Sequence, residues 1–201
     1  MTAAKILGLA THRFSRCARD LLSWNECRMQ LHLADALLQS GERAFMEYPY
    51  PDCRDTCDIV VTRPGNCEKA TDWIELKPIL PRWFYWGPAK FIGEAPFKHD
   101  IRKLAGCTAG HRWFLVVMVT DVPQIELDAP PNPRARKGLT PAQVIAVISH
   151  WAGGRPAGAK PFKAGKQFCH LVLWRVRTCC EDKIALLDGE YIVAARTTGA
   201  K

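Results

Sequence analysis

The chain has 201 residues, 48% of them hydrophobic, and this length suits one domain with a buried core. Its net charge is +8, from 28 basic and 20 acidic side chains. No apolar run approaches the ~20 residues that a membrane-spanning helix requires, and the apolar residues 6–10 are too few for the core of a secretory signal. We therefore expect a cytoplasmic protein that does not associate with membranes.

The predicted elements begin with one helix, or two in succession, over residues 15–39, where leucines recur with helical spacing and Ser40 and Gly41 follow. Three strands are then predicted, at residues 44–48, 58–61 and 73–77. A turn is expected at residues 63–66. The aromatic residues 83–86 are interpreted as a packing lid, with a base-stacking platform as the alternative.

The second half alternates helices and strands. The predicted elements are helices over residues 97–105 and 140–151, strands over 113–120 and 168–176, and a final hairpin around residues 188–189. Residues 152–166, rich in Gly, Pro and Lys, are predicted to form a long mobile loop. The order of elements predicts an α/β fold with a central mixed β-sheet flanked by helices.

Nine cysteines are scattered along the chain, and this odd number fits a reducing compartment better than a set of disulfides. Cys53, Cys57 and Cys67 form a loose cluster, but they lack the paired C-x2-C spacing of a zinc knuckle. We interpret them as small apolar residues rather than as zinc ligands.

Positive charge is concentrated towards the end of the chain. Residues 133–177 contain nine Lys and Arg side chains and no Asp or Glu. Such a surface attracts nucleic-acid backbones through counterion release, although a solvated, solubilising face would have the same composition. The residues of this segment that we expect to bind nucleic acid are Arg134, Arg136, Lys137, Lys160, Lys163 and Lys166.

The third predicted strand mixes apolar and charged side chains. Because side chains in a strand alternate between faces, Glu75 and Lys77 share one face, and Ile74 and Leu76 share the other. Asp58 begins the second strand, seventeen residues upstream of Glu75. If the two strands pair, the two acids can share a divalent cation, and Lys77 can reach a water bound to it. The alternative is an exposed Glu75–Lys77 ion pair worth ~0–1 kcal/mol.

This order of parts resembles the PD-(D/E)XK, or restriction-endonuclease-like, nuclease superfamily. The residues that carry the resemblance are Asp58 before an apolar strand, the triplet Glu75-Leu76-Lys77, and the helical segment 98–104. The resemblance covers about residues 25–120. Cys57 stands where the motif has proline. Asp52, which does follow a proline, is the alternative acid, but Asp58 is preferred because the strand follows it directly.

The resemblance implies a Mg²⁺-dependent nuclease, in which Mn²⁺ can substitute, that hydrolyses the phosphodiester bonds of DNA. Asp58 and Glu75 would bind the metal together with the main-chain carbonyl of Leu76, and Lys77 would orient the attacking water. Family members often add a glutamate borne on a helix. The further metal-ligand candidates are Glu26 on the first helix and Glu47 on the first strand.

The helix after the third strand supplies two more candidates. Lys98 and Lys103 could contact phosphate, although Lys103 could instead form an i,i+3 pair with Asp100. Many members of the superfamily dimerise, so a homodimer is one alternative.

The whole chain, 1–201, is expected to be a single PD-(D/E)XK nuclease-like domain. Its core spans about residues 25–120, and a basic C-terminal part, 133–201, completes the sheet and binds nucleic acid. We expect an endonuclease, with an exonuclease and an RNA substrate as alternatives. The rival interpretation is a non-catalytic nucleic-acid-binding or adaptor protein on the same fold.

Overall fold

The computed structural model describes residues 1–17, 25–51, 54–63, 66–84, 97–108, 110–120, 123, 125, 139–177, 184–187 and 190–193. The helices in these ranges are α1 (Ala3–Cys17), α2 (Glu26–Gln39), α3 (Pro81–Phe84), α4 (Phe97–Gly106) and α5 (Pro141–Ala152). The strands are β1 (Arg43–Pro49), β2 (Thr56–Arg63), β3 (Asn66–Ile79), β4 (His111–Thr120), β5 (Gly158–Ala164), β6 (Gln167–Arg175), β7 (Ile184–Leu187) and β8 (Glu190–Val193).

Six strands form one mixed sheet in the order β1-β2-β3-β4-β6-β5. The pair β3–β4 is parallel, and the other neighbours are antiparallel. A separate antiparallel pair, β7–β8, confirms the pairing of the predicted final hairpin. The predicted α/β architecture, a mixed sheet flanked by helices, is confirmed.

The hydrophobic core lies on both faces of the sheet. On one face α1 and α2 cover the strands, with Ile6, Phe14, Met29, Leu33, Ile74 and Leu76 among the buried side chains. On the other face α4 and α5 cover them, with Phe97, Ile101, Trp151, Trp73 and Phe114 among the buried side chains. The strand β4 is buried from Trp113 to Thr120, which confirms the prediction of a strand covered on both faces.

The sequence predictions differ most from the structure at α1 and β5. The helix α1 was not predicted, although Ile6, Leu7, Ala10 and Phe14 are its buried residues and lie at helical spacing. The prediction of a mobile loop over residues 152–166 is wrong, because Gly158–Ala164 forms the edge strand β5. Its proline, Pro161, is tolerated because an edge strand does not pair along both sides.

Several predicted features lie outside the described residues. These are Asp52, Cys53, Arg134, Arg136, Lys137, the turn residues 64–65, the aromatic residues 85–86 and the hairpin residues 188–189. The described cysteines that are free thiols are Cys17, Cys27, Cys57, Cys107 and Cys169. In the described part of the chain, no helix has both the length and the apolar character needed to cross a membrane.

The start of α5 confirms the helix boundary predicted at residues 140–141. Thr140 Oγ1 accepts a hydrogen bond from the N–H of Gln143 (3.3 Å), and Gln143 Oε1 accepts one from the N–H of Thr140 (2.8 Å). This reciprocal arrangement is a capping box, and Pro141 occupies the first helical turn.

Replacement of Thr140 by alanine is expected to lower the free energy of unfolding by about 1 kcal/mol, because a main-chain N–H at the start of α5 loses its partner. Urea denaturation of the two proteins measures the difference. The Thr140→Ser variant keeps the hydroxyl and should retain most of the stability. Equal stability of the alanine variant and the wild type would contradict this role for the cap.

Candidate active site

The candidate site lies where the β2–β3 ladder ends. The two strands pair up to Ile59 opposite Ile74, and the same register places Asp58 beside Glu75, one position further on. Here the N–H of Leu76 donates to Asp58 Oδ2 (2.6 Å), so a side-chain carboxylate accepts this strand N–H. The two acids singled out from the sequence therefore lie on neighbouring strands.

Asp58 is buried and both of its oxygens accept hydrogen bonds. Besides the bond from Leu76, its Oδ1 accepts from Gln30 Nε2 at 2.7 Å. Gln30 lies on α2 one helical turn after Glu26, and α2 belongs to the layer on one face of the sheet. Asp58 is thus fixed between its neighbouring strand and this helix.

Glu75 is 1% exposed and contacts residues from two other segments. Its Oε1 accepts a hydrogen bond from Tyr50 Oη (2.8 Å) and lies 3.1 Å from Lys103 Nζ. Trp73 belongs to the apolar cluster beneath α4 and α5, whereas Ile74 and Leu76 belong to the opposite cluster. The predicted alternation of β3 is confirmed, and Glu75 does not form the exposed ion pair with Lys77.

Lys77 lies between two other carboxylates. Its Nζ donates to Glu26 Oε2 (2.7 Å) and lies 3.0 Å from Asp100 Oδ2. Glu26 is in the first turn of α2, and Asp100 is buried on α4. The lysine of the E-x-K triplet therefore links the helices on the two faces of the sheet.

Lys103 is the second ammonium group of the site. Its Nζ lies 3.1 Å from Glu75 Oε1, 3.2 Å from Asp100 Oδ1 and 3.3 Å from the carbonyl oxygen of Thr56. The predicted i,i+3 pair with Asp100 is confirmed, and the same lysine also binds the buried acid of β3. We refer to the six side chains Glu26, Asp58, Glu75, Lys77, Asp100 and Lys103 as the carboxylate cluster.

Burial and mutual repulsion shift the protonation of the two central acids. Burial raises the pKa of Asp58 to about 6; Glu26 and Asp100 add to the rise, and the Leu76 N–H and Lys77 oppose it. Burial also raises the pKa of Glu75 to about 9, with further contributions from Asp58 and Asp100, against the effect of Lys103. Both acids therefore hold their protons to a higher pH than an exposed carboxyl group does.

The lysines respond in the opposite way to their carboxylate neighbours. Burial on its own would lower the pKa of Lys77, but Asp100 and Glu26 raise it above its ordinary value. The pKa of Lys103 is likewise raised by Glu75 and Asp100, against burial. Both side chains remain ammonium groups that donate hydrogen bonds within the cluster.

The remaining predicted metal ligand, Glu47, lies apart from these contacts. The register of β1 on β2 places Glu47 next to the main chain of Asp58, but its side chain is exposed and accepts a hydrogen bond from Thr56 Oγ1 (2.7 Å). Its main chain has a φ of 51°, a left-handed conformation that is uncommon for residues other than glycine.

The described lysines predicted to bind nucleic acid lie at different places on the fold. Lys160, Lys163 and Lys166 are exposed on β5 and the turn after it. The strand β5 lies three strand spacings, about 14 Å, from β3 across the sheet. Lys98 Nζ lies 5.9 Å from the centre of the Trp151 ring, on the helical layer over the site.

Sequence reasoning missed Gln30 and Tyr50, and it missed the contact of Lys103 with Glu75. Gln30 has one available signal, because it lies four residues after Glu26 and shares its side of α2. Tyr50 follows the first strand and has no motif around it. A further acid of β3, Asp72, is fully buried. It accepts hydrogen bonds from the Met1 ammonium (2.7 Å) and Trp113 Nε1 (2.9 Å), so it belongs to the core beneath α1 and α2 and not to the candidate site.

The cluster supplies carboxylate oxygens, the type of donor that Mg²⁺ prefers. Over the described residues, no three His, Cys, Asp or Glu side chains are grouped closely enough to form a complete metal cage. Mg²⁺ usually keeps several waters and takes one or two protein carboxylates, and Asp58 with Glu75 supply that number. A bound cation would also favour the ionised forms of Asp58 and Glu75 and so oppose the rise in their pKa values.

The resemblance to the nuclease superfamily depends on the residues described above. No protein-family model, no curated protein and no solved structure matches the chain.

Proposed function

We propose that this protein is a metal-dependent nuclease on the restriction-endonuclease-like fold that hydrolyses phosphodiester bonds of DNA as an endonuclease. The observation that supports the proposal is the adjacent placement of Asp58 and Glu75 at the end of the β2–β3 ladder, with Lys77 two positions after Glu75. In the reaction, water adds to phosphorus and the bond to the leaving oxygen breaks. The attacking water gives up a proton, and the leaving oxygen takes one up and becomes a hydroxyl group, so the products are a phosphate monoester and an alcohol.

The residues of the cluster divide into metal-binding and charge-stabilising groups. Asp58, Glu75 and the carbonyl of Leu76 would hold Mg²⁺ or Mn²⁺, with Glu26 as a further candidate ligand. When bound, the metal polarises the scissile phosphate and lowers the pKa of a bound water. Lys77, which contacts Glu26 and Asp100, would bind the attacking water and offset the charge that develops at phosphorus.

DNA is the proposed partner because of the charge distribution. The exposed Lys160, Lys163 and Lys166 would contact backbone phosphates a few base pairs from the cut.

We propose a cytoplasmic location, which the free thiols of the described cysteines support. A homodimer remains a prediction that sedimentation of the purified protein would test.

Incubation of the protein with plasmid DNA, linear DNA and RNA, with and without Mg²⁺, tests the proposal. We expect Mg²⁺-dependent cleavage of DNA by the wild type, and loss of cleavage in Asp58→Asn, because the neutral amide removes a metal-binding charge. The matched control is Asp35→Asn, which changes a surface acid of α2 that pairs with Arg13. Equal cleavage by the wild type and Asp58→Asn, or no cleavage by the wild type, would refute the assignment.

One observation favours a non-catalytic nucleic-acid-binding or adaptor protein instead. Both oxygens of Asp58 already accept hydrogen bonds, and two lysines bind the other acids, so the cluster is a connected network without a metal. Calorimetric titration with Mn²⁺ separates the two functions. A nuclease should bind Mn²⁺ specifically, whereas an adaptor should bind no Mn²⁺ yet bind DNA with a steep dependence on salt.

A further inference from the structure

A pocket of about 250 Å³ lies beside the carboxylate cluster. The lining residues that matter here are Tyr50, Asp55, His99, Arg102, Lys103 and Cys107. His99, Arg102 and Lys103 are separated by three and four positions on α4, so they project from one side of this helix. The other side of α4 packs into the core through Phe97 and Ile101. The amphipathic pattern of α4 therefore places its basic side chains around the pocket.

The pocket lies next to Glu75, one of the proposed metal ligands. Tyr50 and Lys103 line it, and both contact Glu75 Oε1, at 2.8 and 3.1 Å. An occupant of the pocket would thus be separated from Glu75 by a single layer of side chains. This position is next to the place where a scissile phosphate would meet Asp58 and Glu75.

The charge of the pocket suits an anion. Arg102 and His99 are exposed at its rim, and Lys103 lies deeper. Asp55 is the one acid among the residues that line the pocket. Its Oδ2 lies 3.2 Å from His99 Nε2, so this carboxylate already has a partner at the rim. Phosphate groups bind well to such arrangements, because guanidinium and ammonium groups make charge-assisted hydrogen bonds to phosphate oxygens.

The size and the walls of the pocket restrict the rest of the ligand. Its volume is slightly below the ~300–1,000 Å³ usual for ligand pockets, which leaves room for one nucleotide rather than two. Cys107 and the side chain of Tyr50 provide less polar wall, which suits the sugar and base of a nucleotide better than a bare phosphate ion.

We infer that this pocket binds one nucleotide of the substrate strand, with its phosphate held at the rim by Arg102 and His99. The inference rests on the proposed nuclease function and locates the nucleotide that flanks the cut. Lys103, whose ammonium group is already shared by Glu75, Asp100 and the Thr56 carbonyl, adds positive charge behind the phosphate without a direct bond to it.

Calorimetry on the metal-free protein tests the inference with three probes: thymidine 5′-monophosphate, thymidine and inorganic phosphate. We expect the monophosphate to bind the wild type more tightly than either of the other two. Binding should be about tenfold weaker in Arg102→Gln, the loss expected for one charge-assisted hydrogen bond to phosphate. The matched control is Lys69→Gln, an exposed lysine on β3 about 20 Å along the strand from Glu75, which should bind normally.

A second variant, His99→Gln, keeps the test decisive if Arg102→Gln fails to fold. The inference is overturned if the monophosphate does not bind, if inorganic phosphate binds equally well, or if the folded pocket variants bind like the wild type. The two proposals also fail separately. Nucleotide binding that depends on Arg102 in a protein without DNA cleavage removes the nuclease function, whereas DNA cleavage with no such dependence removes the pocket.

Discussion

Replacement of Glu75 by glutamine is expected to reduce Mg²⁺-dependent DNA cleavage by about 10²–10³-fold while the metal-free protein loses no stability. The loss of activity follows because glutamine, unlike Glu75, cannot ionise to supply a carboxylate at the proposed metal site, and its size corresponds to one preorganised electrostatic interaction in an active site. Cleavage rates on a supercoiled plasmid, together with urea denaturation in a metal chelator, measure the two effects on the same preparations.

The stability of this variant has a separate physical reason. Glu75 is buried beside Asp58 and Asp100, whose charges oppose its ionisation. A glutamine side-chain oxygen can still accept the hydrogen bond from Tyr50, and Lys103 keeps Asp100 as a partner. Because burial and these charges already favour the neutral form of Glu75, a neutral glutamine in its place should cost little stability.

The combination of the two results distinguishes a catalytic acid from a structural one. The matched control is Glu42→Gln, which changes a surface glutamate paired with Lys5 and should leave cleavage unchanged. Full activity in Glu75→Gln would contradict the catalytic role. A loss of activity accompanied by a large loss of stability would show that Glu75 mainly supports the fold.

The largest expected effect on stability comes from Phe114→Ala, which should lower the free energy of unfolding by about 3–5 kcal/mol. Phe114 is fully buried on β4, with its ring centre 6.5 Å from that of Phe97 and 6.4 Å from that of Trp174. Truncation removes these contacts and leaves a cavity between the sheet and α4. Such a loss is a large part of the 5–15 kcal/mol that stabilises a typical domain.

Urea denaturation measures this change, and an exposed phenylalanine provides the control. Phe45 lies on the edge strand β1 and is 40% exposed, so Phe45→Ala should cost about 1 kcal/mol or less. Phe114 also lies opposite Glu75 in the β3–β4 register. Rearrangement of the side chains around the cavity in Phe114→Ala should therefore also weaken DNA cleavage. Similar stability losses in the two variants would contradict this account of the core.

The sequence predicted most elements of the sheet because their side-chain patterns follow local rules. The run Trp113–Thr120 is apolar throughout and forms a strand covered on both faces. The edge strand β5 was missed because Pro161 and the glycines at its two ends are typical of loops, and only its pairing with β6 makes it a strand. Propensity is local, whereas strand pairing is decided by the rest of the fold.

The residues of the candidate site fall into the same two groups: those that a local pattern identifies and those that only the fold identifies. Asp58, Glu75 and Lys77 could be selected from their strands, since alternation fixes which side chains share a face. Their partners could not be selected, because Tyr50, Gln30 and Asp100 reach them from a loop and two helices on different faces of the sheet. Spacing along the chain shows which way a side chain points, but the choice of partner depends on how layers dock.

The cluster has a consequence for the order of folding. Its side chains come from α2, β2, β3 and α4, so Lys77 and Glu26 meet across 51 positions and Asp58 meets Gln30 across 28. Contacts between residues so distant in sequence form slowly, because long loops must close before the contacts stabilise them. A chain still emerging from the ribosome would thus carry all the acids and lysines of the cluster without yet having assembled them.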